Sequence, residues 1–420
     1  MLGAFWLCSA HPFLEANFAR SMQPTDTSQA KSPIAIVTDG MWRKSLSAIR
    51  SLGKAGWDVH VLGDAAYTLG YWSRFTRRRI HCPDAKEDAA GFLNCLTKHL
   101  RALADEGRDP PVLLPMEDAT LRVVIENATS LAPLARFLTP SPAAFEACED
   151  KSLTMALAAR LGVAHPATQI ARTTEELRDA LKAAGVNVVV KPVSGSGSRG
   201  VRYQPRFDDE ALQAYIDEYG PALVQERVPV SGEAIGVALL IGPAGERLAH
   251  FCHKRLRQYP NSGGPSTDRV GIEAPDLLAL SAQLLQSLNF CGVALVEWKL
   301  DPASGRALLM EINPRFWGSL ELAVRSGVDF PRLYAEAARG KAQAEPTPTL
   351  GVRCRWLIPG DILRWLTARG DERESFFAFF GRLPGTAEEW DRRDIRGAIA
   401  CVICQAIAAA QPKYLRMLRR

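Results

Sequence analysis

The sequence predicts an α/β protein whose first part alternates strands with helices and whose later part is richer in strands. Residues 33 to 135 alternate short apolar runs with amphipathic stretches, a pattern typical of a parallel sheet covered by helices. Residues 222 to 313 contain longer apolar runs that favour strands. The chain has 420 residues, of which 47% are hydrophobic and 23% charged, so it is long enough for several packed cores.

The first unit opens as strand, helix and strand: PIAIVTDG, MWRKSLSAIRSLGKAG ending at Gly56, and WDVHVLGD. A later strand, PVLLPMED, continues the same sheet. The loops after the first and the later strand follow carboxyl ends of strands, which is where ligands bind in such sheets. They contribute the weak candidates Asp39, Arg43, Glu117 and Asp118. Ordinary loop polarity explains these four residues equally well.

A smaller α/β unit follows, up to about residue 222. SPAAFEACEDKSLTMALAARLGV predicts one helix with Glu-Asp-Lys near its start, and TTEELRDALKAAG predicts the next. The strand VNVVVKPV then leads into a glycine loop that spells G-x-G-x-x-G between Gly195 and Gly200. After it the chain alternates as a strand and reaches Pro205, whereas a dinucleotide site needs a helix there.

The glycine loop is therefore predicted to be the tip of a hairpin between two strands. Lys191 precedes it, and a lysine beside bare backbone N–H groups suits the covering of a polyphosphate. A plain surface hairpin remains the alternative for these residues taken alone.

A second hairpin carries two carboxylates. VALVEWKL and ALLMEINP flank the turn DPASGR, so Glu297 lies opposite Met310 or Glu311, and one bulge residue would place both carboxylates side by side. Asn313 shares the face of Glu311 by alternation. These hard oxygen donors suit Mg²⁺ or Mn²⁺, and the nearby Arg315 favours phosphoryl transfer. The alternative is a pair of glutamates that point to solvent.

The ordered set of motifs resembles the ATP-grasp superfamily. The motifs are Glu-Asp-Lys151, VVVKP with Lys191, the glycine loop, QERVPVSGE, then Glu297 and MEINPRFWG. Within the superfamily the set is similar to carboxylate-amine ligases of the carbamoyl-phosphate-synthase-like and D-aspartate-ligase-like kind, from about residue 33 to 345. Each motif is weak alone, and their order and spacing carry the resemblance.

The resemblance implies an ATP-grasp fold with an N-terminal Rossmann-like pre-grasp domain, a small lid subdomain and a C-terminal helical appendix. The expected divisions are a leader (1–31) that is disordered or precedes the true start, the pre-grasp domain (32–140), the small subdomain (141–222), the large subdomain with the metal site (223–345) and a mostly helical extension (346–420).

The resemblance also assigns the site. Lys151 and Lys191 would contact the α- and β-phosphates of ATP, and Lys191 and Arg315 would be catalytic, with Arg315 at the transferred phosphoryl group. The residues of the lid over the phosphates would be Ser194, Gly195, Ser196, Gly197 and Gly200. The residues of the adenine and ribose end would be Glu226, Val228 and Glu233. The ligands of Mg²⁺ or Mn²⁺ would be Glu297, Glu311 and Asn313.

Such enzymes phosphorylate a carboxylate with ATP, release ADP, and let an amine displace phosphate from the acyl phosphate. The basic strand and loop HFCHKRLRQYPNSGGPST suits an anionic substrate, through Lys254, Arg255, Arg257, Gly264 and Ser266; an exposed basic strand is its alternative. Bicarbonate or carbamate phosphorylation and a non-catalytic nucleotide-binding module also remain open.

Composition limits the remaining classes. The formal charge of +5 is small for this length and argues against a nucleic-acid partner. Nine scattered cysteines predict free thiols in a reducing compartment, the cytoplasm, and Cys401-Val-Ile-Cys404 fits helix packing better than metal binding. The apolar run at residues 395 to 410 is too short to span a bilayer. A packed helix is the first interpretation of this run and a helix lying on a membrane surface the second; a homodimer stays open.

Overall fold

The structure is a computed structural model that describes residues 31–195, 200–205, 207–229, 231–260, 264–341, 343–368, 370, 374–381 and 387–410. Most of the predicted leader and the predicted lid residues Ser196 and Gly197 therefore lie outside the described residues. The predicted domain boundaries are not tested by the structure and stay predictions.

The first layer is a parallel sheet with strand order β3-β2-β1-β4. Its elements are β1 (Ile34–Val37), α1 (Arg43–Lys54), β2 (Asp58–Gly63), a 3-10 turn (Leu69–Trp72), β3 (Thr76–His81), α2 (Ala89–Asp105), β4 (Val112–Leu114), α3 (Asp118–Glu126) and α4 (Ala128–Leu131). The strand IAIV is buried at all four positions, as expected for a strand covered on both faces. Because β1 and β4 pair in parallel, their carboxyl ends bring Asp39 and Glu117 to one edge.

The second unit is an antiparallel sheet with strand order β5-β8-β6-β7. Its elements are α5 (Pro142–Glu149), α6 (Lys151–Arg160), β5 (Thr168–Ala171), α7 (Thr174–Ala184), β6 (Val188–Pro192), β7 (Arg202–Tyr203), α8 (Asp209–Tyr219) and β8 (Ala222–Glu226). The prediction of a strand after the glycine loop is confirmed, because Val190 of β6 pairs with Arg202 of β7.

The prediction of one continuous helix around Glu-Asp-Lys is wrong. Asp150 has an extended backbone with ψ of 107°, and its side chain accepts hydrogen bonds from the backbone N–H groups of Ser152 and Leu153. A carboxylate in this position starts a new helix, so α5 ends and α6 begins here. The break places Lys151 in the first turn of α6, beside the glycine loop.

The third unit is an antiparallel sheet with strand order β13-β12-β9-β10-β11-β14. Its elements are β9 (Ala234–Ile241), β10 (Arg247–Gln258), β11 (Ser266–Ile272), α9 (Pro275–Ser287), β12 (Gly292–Leu300), β13 (Ala307–Asn313), α10 (Leu320–Arg325), α11 (Phe330–Ala338) and β14 (Arg353–Arg355). The buried Tyr334 of α11 donates a hydrogen bond to the backbone oxygen of Leu138 and accepts one from its N–H. This contact ties the third unit to the end of the first.

The C-terminal part continues with a π-helical turn (Leu357–Asp361), α12 (Ile362–Thr367), α13 (Phe376–Phe380) and α14 (Ile395–Ala410). Cys401 and Cys404 of α14 are buried against Leu46 and Leu69 of the first unit. The interpretation of the Cys-x-x-Cys stretch as helix packing is confirmed. Within the described ranges, no helix is both long and apolar enough to cross a membrane.

The cysteine prediction needs one correction. Cys82, just after β3, and Cys95, on α2, form a disulfide with Cα atoms 5.8 Å apart. Their separation of 13 residues gave no sign of pairing, because the contact depends on how α2 packs on the sheet. The other cysteines that the structure describes are free thiols.

Candidate functional site

Two carboxylates face each other across the hairpin of β12 and β13. Glu297 pairs directly with Glu311, while the next pair is Trp298 with Leu309. Met310 is therefore the extra residue of a bulge, as the side-by-side alternative required. Both side chains are partly buried, each 29% exposed.

The surroundings shift the pKa values of the two carboxylates in opposite directions. Burial, then the negative charge of Glu311, raises the pKa of Glu297. Burial also acts to raise the pKa of Glu311, but Lys151 and Lys191 outweigh it and lower that pKa. Two like charges held on apolar strands repel each other, so a cation between them would stabilise the pair.

The residues present fit a hard divalent cation. Asn313 donates a hydrogen bond from Nδ2 to Oε1 of Glu311 at 3.1 Å, so its amide lies beside the pair. Within the described residues no group of three or more His, Cys, Asp or Glu side chains could hold a metal ion. The candidate donor set is instead two carboxylates and one amide oxygen, a set suited to Mg²⁺.

Two lysines of the second unit approach Glu311. Nζ of Lys151 lies 3.8 Å from Oε2 of Glu311 and donates to the backbone oxygen of Gly195 at 2.7 Å. Lys191, on β6, is buried, and burial lowers its pKa to about 8. Together they place positive charge between the carboxylate pair and the base of the glycine loop.

The described ends of the glycine loop depend on glycine. Gly195 and Gly200 have φ of 111° and 71°, which favour glycine. A Cβ atom at Gly200 would also lie 2.7 Å from Pro192. Ser194 is exposed at the start of the loop, and Ser196 and Gly197 of the predicted lid lie outside the described residues.

The predicted adenine and ribose residues lie where β8 ends and β9 begins. Glu226 is exposed at the end of β8, and the backbone oxygen of Val228 accepts a hydrogen bond from Nζ of Lys299 at 3.1 Å. Glu233 forms an ion pair with Lys254. A residue predicted for ribose and one predicted for the second substrate are therefore direct neighbours.

The predicted substrate residues divide into two groups. Arg255 lies in the site, because its Nη2 is 3.3 Å from Oε2 of Glu297 and its Nη1 donates to the backbone oxygen of Gly264 at 3.1 Å. Ser266 bonds instead to the backbone of β10 and β11.

Arg257 is turned toward the C-terminal extension. It lies 2.5 Å from Glu374, 3.5 Å from Asp361 and 3.6 Å from Asp268. These acids hold the guanidinium on the side of the extension, and the anion-binding role of Arg257 stays a prediction. The partners are distant in sequence, and nothing in the basic strand signalled them.

Arg315 joins the site to the first unit. Its Nε donates to Asp118 at 2.9 Å, and its Nη2 donates to Oδ1 of Asn313 at 3.4 Å. Burial alone would lower the pKa of Arg315, but Asp118 and Glu117 outweigh it and raise that pKa. The guanidinium is thus held fully charged beside the candidate metal ligands.

Lys44 is a site residue that sequence reasoning missed. It is buried in the first turn of α1, with Nζ 2.8 Å from Glu117 and 3.0 Å from the backbone oxygen of Phe316, which it donates to. Burial, then the charge of Arg315, lowers its pKa. The available signal was a lysine that directly follows the predicted ligand loop.

The two weak candidates Asp39 and Arg43 lie in different surroundings. Asp39 has φ of 53°, unusual for a residue with a side chain, and accepts a hydrogen bond from Thr120 at 2.7 Å. Burial, then the charge of Glu117, raises its pKa to about 6. Arg43 instead lies 4.0 Å over the ring of Trp356 and pairs with Glu388, away from this network.

Comparison with known proteins agrees with this geometry. Residues 255 to 358 match the family described as "ATP-grasp in the biosynthetic pathway with Ter operon". The chain contains an ATP-grasp domain, and the predicted fold class is confirmed.

The curated relatives include two kinds of enzyme. The arginine-specific large chain of carbamoyl phosphate synthase from Oryza sativa subsp. japonica is 26% identical over 194 residues, 43% of this chain and 16% of that protein. The probable alpha-L-glutamate ligase of Teredinibacter turnerae is 25% identical over 321 residues, 72% of this chain and 98% of that protein.

Among solved structures, the biotin carboxylase domain dimer of 2-oxoglutarate carboxylase from Hydrogenobacter thermophilus, in complex with MgADP, ADP and bicarbonate, is similar with a TM-score of 0.58. The two sequences are 15% identical, and the match covers 77% of this chain and 73% of the carboxylase chain. The chain spans between about a sixth and about a half of the length of the first curated relatives that it matches.

Proposed function

We propose that the protein is an ATP-dependent ligase that joins a carboxylate to an amine or a similar nucleophile. The observation that carries the proposal is the pairing of Glu297 with Glu311 across a bulge, with Lys151 beside Glu311 and Arg255 beside Glu297. Such an array suits one anion attacking another, because its charges offset the repulsion between a carboxylate and ATP.

The reaction has two steps. A carboxylate oxygen attacks the γ-phosphorus of ATP, the bond to the β,γ-bridging oxygen breaks, and ADP leaves. The amine nitrogen then attacks the acyl carbon, phosphate leaves, and the nitrogen loses a proton. We place Lys151 and Lys191 on the nucleotide phosphates, where they would orient ATP.

We assign Glu297, Glu311 and Asn313 to Mg²⁺, which would supply charge stabilisation of the transferring phosphoryl group. Arg315, fixed by Asp118, would bind that phosphoryl group, and Arg255, 3.3 Å from Glu297, would bind the substrate carboxylate. Val228 and Glu226 would contact adenine and Glu233 the ribose. Ser194 to Gly200 would exclude water from the acyl phosphate.

The experiment is a screen of ADP release by the full chain with Mg²⁺, using a panel of amino and sugar acids, each with and without amines. We expect an acid that stimulates ADP release and forms a coupled product with one amine. ADP release that no acid stimulates would contradict the proposal.

A second candidate is the phosphorylation of bicarbonate or carbamate. It is favoured by the likeness to carbamoyl phosphate synthase and to a carboxylase domain that was crystallised with bicarbonate. ADP release that depends on bicarbonate in the absence of organic acids would favour this alternative over the ligase.

A further inference from the structure

The helix α14 presents an unpartnered apolar face to solvent. Its exposed large aliphatic residues are Ile395, Ile399, Val402, Ile403 and Ile407. They recur every three or four residues, so they lie along one side of the helix. Ile399 and Ile403 are 54% and 52% exposed, which is unusual for adjacent isoleucines on one helix face.

The opposite side of the helix packs against the first unit. Cys401 and Cys404 are buried against the first unit, and Sγ of Cys404 lies 3.0 Å from the backbone oxygen of Tyr67. At the start of the helix, Asp394 is buried and pairs with Arg50. The exposed aliphatic face is therefore fixed in position on a folded support.

Basic residues flank the aliphatic face. Arg392, Arg393 and Arg396 are exposed at the start of α14, and Trp390, 56% exposed, precedes them. The sequence contains no aspartate or glutamate from Ile395 to the final residue.

We propose that the exposed face of α14 binds an anionic lipid surface, with its axis in the membrane plane. Exposed aliphatic residues beside a cluster of arginines are typical of interfacial helices, and a nearby tryptophan suits the headgroup region. Sixteen residues of helix are about 24 Å long, shorter than a bilayer core, so the helix lies on the membrane.

The chemistry of the exposed face of α14 argues against two other partners, a second copy of this chain and a nucleic acid. A second copy of this chain would bring the same positive residues toward each other. The nearest acids, Asp391 and Asp394, already pair with Lys54 and Arg50, and α14 itself contains no acid. A nucleic acid would use the arginines but leave the isoleucines in water. A lipid surface that is both apolar and anionic satisfies both features.

The experiment is flotation of the full chain with vesicles of phosphatidylcholine mixed with phosphatidylserine, and with vesicles of phosphatidylcholine alone. We expect binding to the mixed vesicles, weaker binding at high salt, and little binding to phosphatidylcholine. The double variant Ile399→Asp/Ile403→Asp should lower the bound fraction by about tenfold or more, while Val186→Asp, at an exposed valine on another surface, should leave it unchanged.

A second set of variants tests the charges without touching the apolar face. The triple variant Arg392→Glu/Arg393→Glu/Arg396→Glu should abolish the preference for phosphatidylserine. Equal binding of the isoleucine variant and the unmodified chain would overturn the proposal. So would a dimer in solution that the isoleucine variant converts to a monomer, since the face would then belong to a second copy.

Discussion

Two clusters of buried charge in this molecule differ in how their charges are paired. In the candidate site, Glu297 faces Glu311, and Lys151 and Lys191 both lie near Glu311. At the contact of the C-terminal extension with α1, Arg50 is 2.9 Å from Asp394, and within the extension Arg355 bonds to Asp361 at 2.7 Å. Like charges are neighbours in the first cluster and opposite charges are matched in the second.

The difference separates a binding site from a structural contact. A buried pair of opposite charges needs no ligand, and losing one partner leaves the other charge unpaired. A pair of carboxylates with two lysines nearby is stabilised further by a cation and by an anion, as in the complex of Mg²⁺ with a nucleotide. Substitutions in the candidate site should therefore affect catalysis, and those at the extension should affect folding.

The largest effect is expected for Glu311→Gln, which removes one of the two facing carboxylates. Given an identified substrate, the rate of ADP release should fall by about 100-fold or more, with a thermal midpoint equal to or above that of the unmodified protein. Glu246→Gln, at an exposed glutamate in the turn before β10, is the matched control and should change neither quantity.

Arg50→Met should give the largest loss of stability. It leaves the buried Asp394 without its guanidinium partner, so the free energy of unfolding should fall by about 3 kcal/mol or more, measured by urea titration. Lys54→Met removes the partly exposed pair with Asp391 and should cost below about 1 kcal/mol. Equal losses for the two variants would contradict the claim that the buried Arg50–Asp394 pair is a structural contact that folding depends on.

Asp118→Asn should separate positioning from folding. The variant keeps the shape of the side chain but loses the charge that orients Arg315 at 2.9 Å, so turnover should fall by about tenfold with little change in ADP affinity. Asp118→Glu should recover part of the turnover. A fall in ADP affinity alone would place Asp118 in nucleotide binding instead.

The smallest effect concerns pH. Burial lowers the pKa of Lys191 to about 8, and the protonated form is the one that binds phosphate. ADP affinity, measured by titration calorimetry in EDTA, should therefore be constant below that pH and fall above it by up to about tenfold per pH unit. In Lys191→Arg, whose side chain stays charged, this fall should be absent.

The sequence predicted what local rules determine. The turn DPASGR limited the partner of Glu297 to Met310 or Glu311, and alternation placed Asn313 on the same face. The strand after the glycine loop followed from Pro205. Each of these predictions depended on neighbours within about twenty residues.

Contacts between distant segments could not be predicted in this way. Arg257 and Glu374 are 117 residues apart, and a lysine such as Lys44 resembles any helix-surface lysine until the third unit covers it. The break at Asp150 was missed because the apolar pattern continues across it, while the capping carboxylate decides the backbone.

The most direct test of the paired carboxylates is the affinity for ADP with Mg²⁺ and with EDTA, in the unmodified chain and in Glu311→Gln. The account predicts that Mg²⁺ strengthens ADP binding to the unmodified chain by about tenfold or more, and that the variant loses most of this dependence. An equal strengthening by Mg²⁺ in both proteins would contradict the assignment of Glu311 to the metal site.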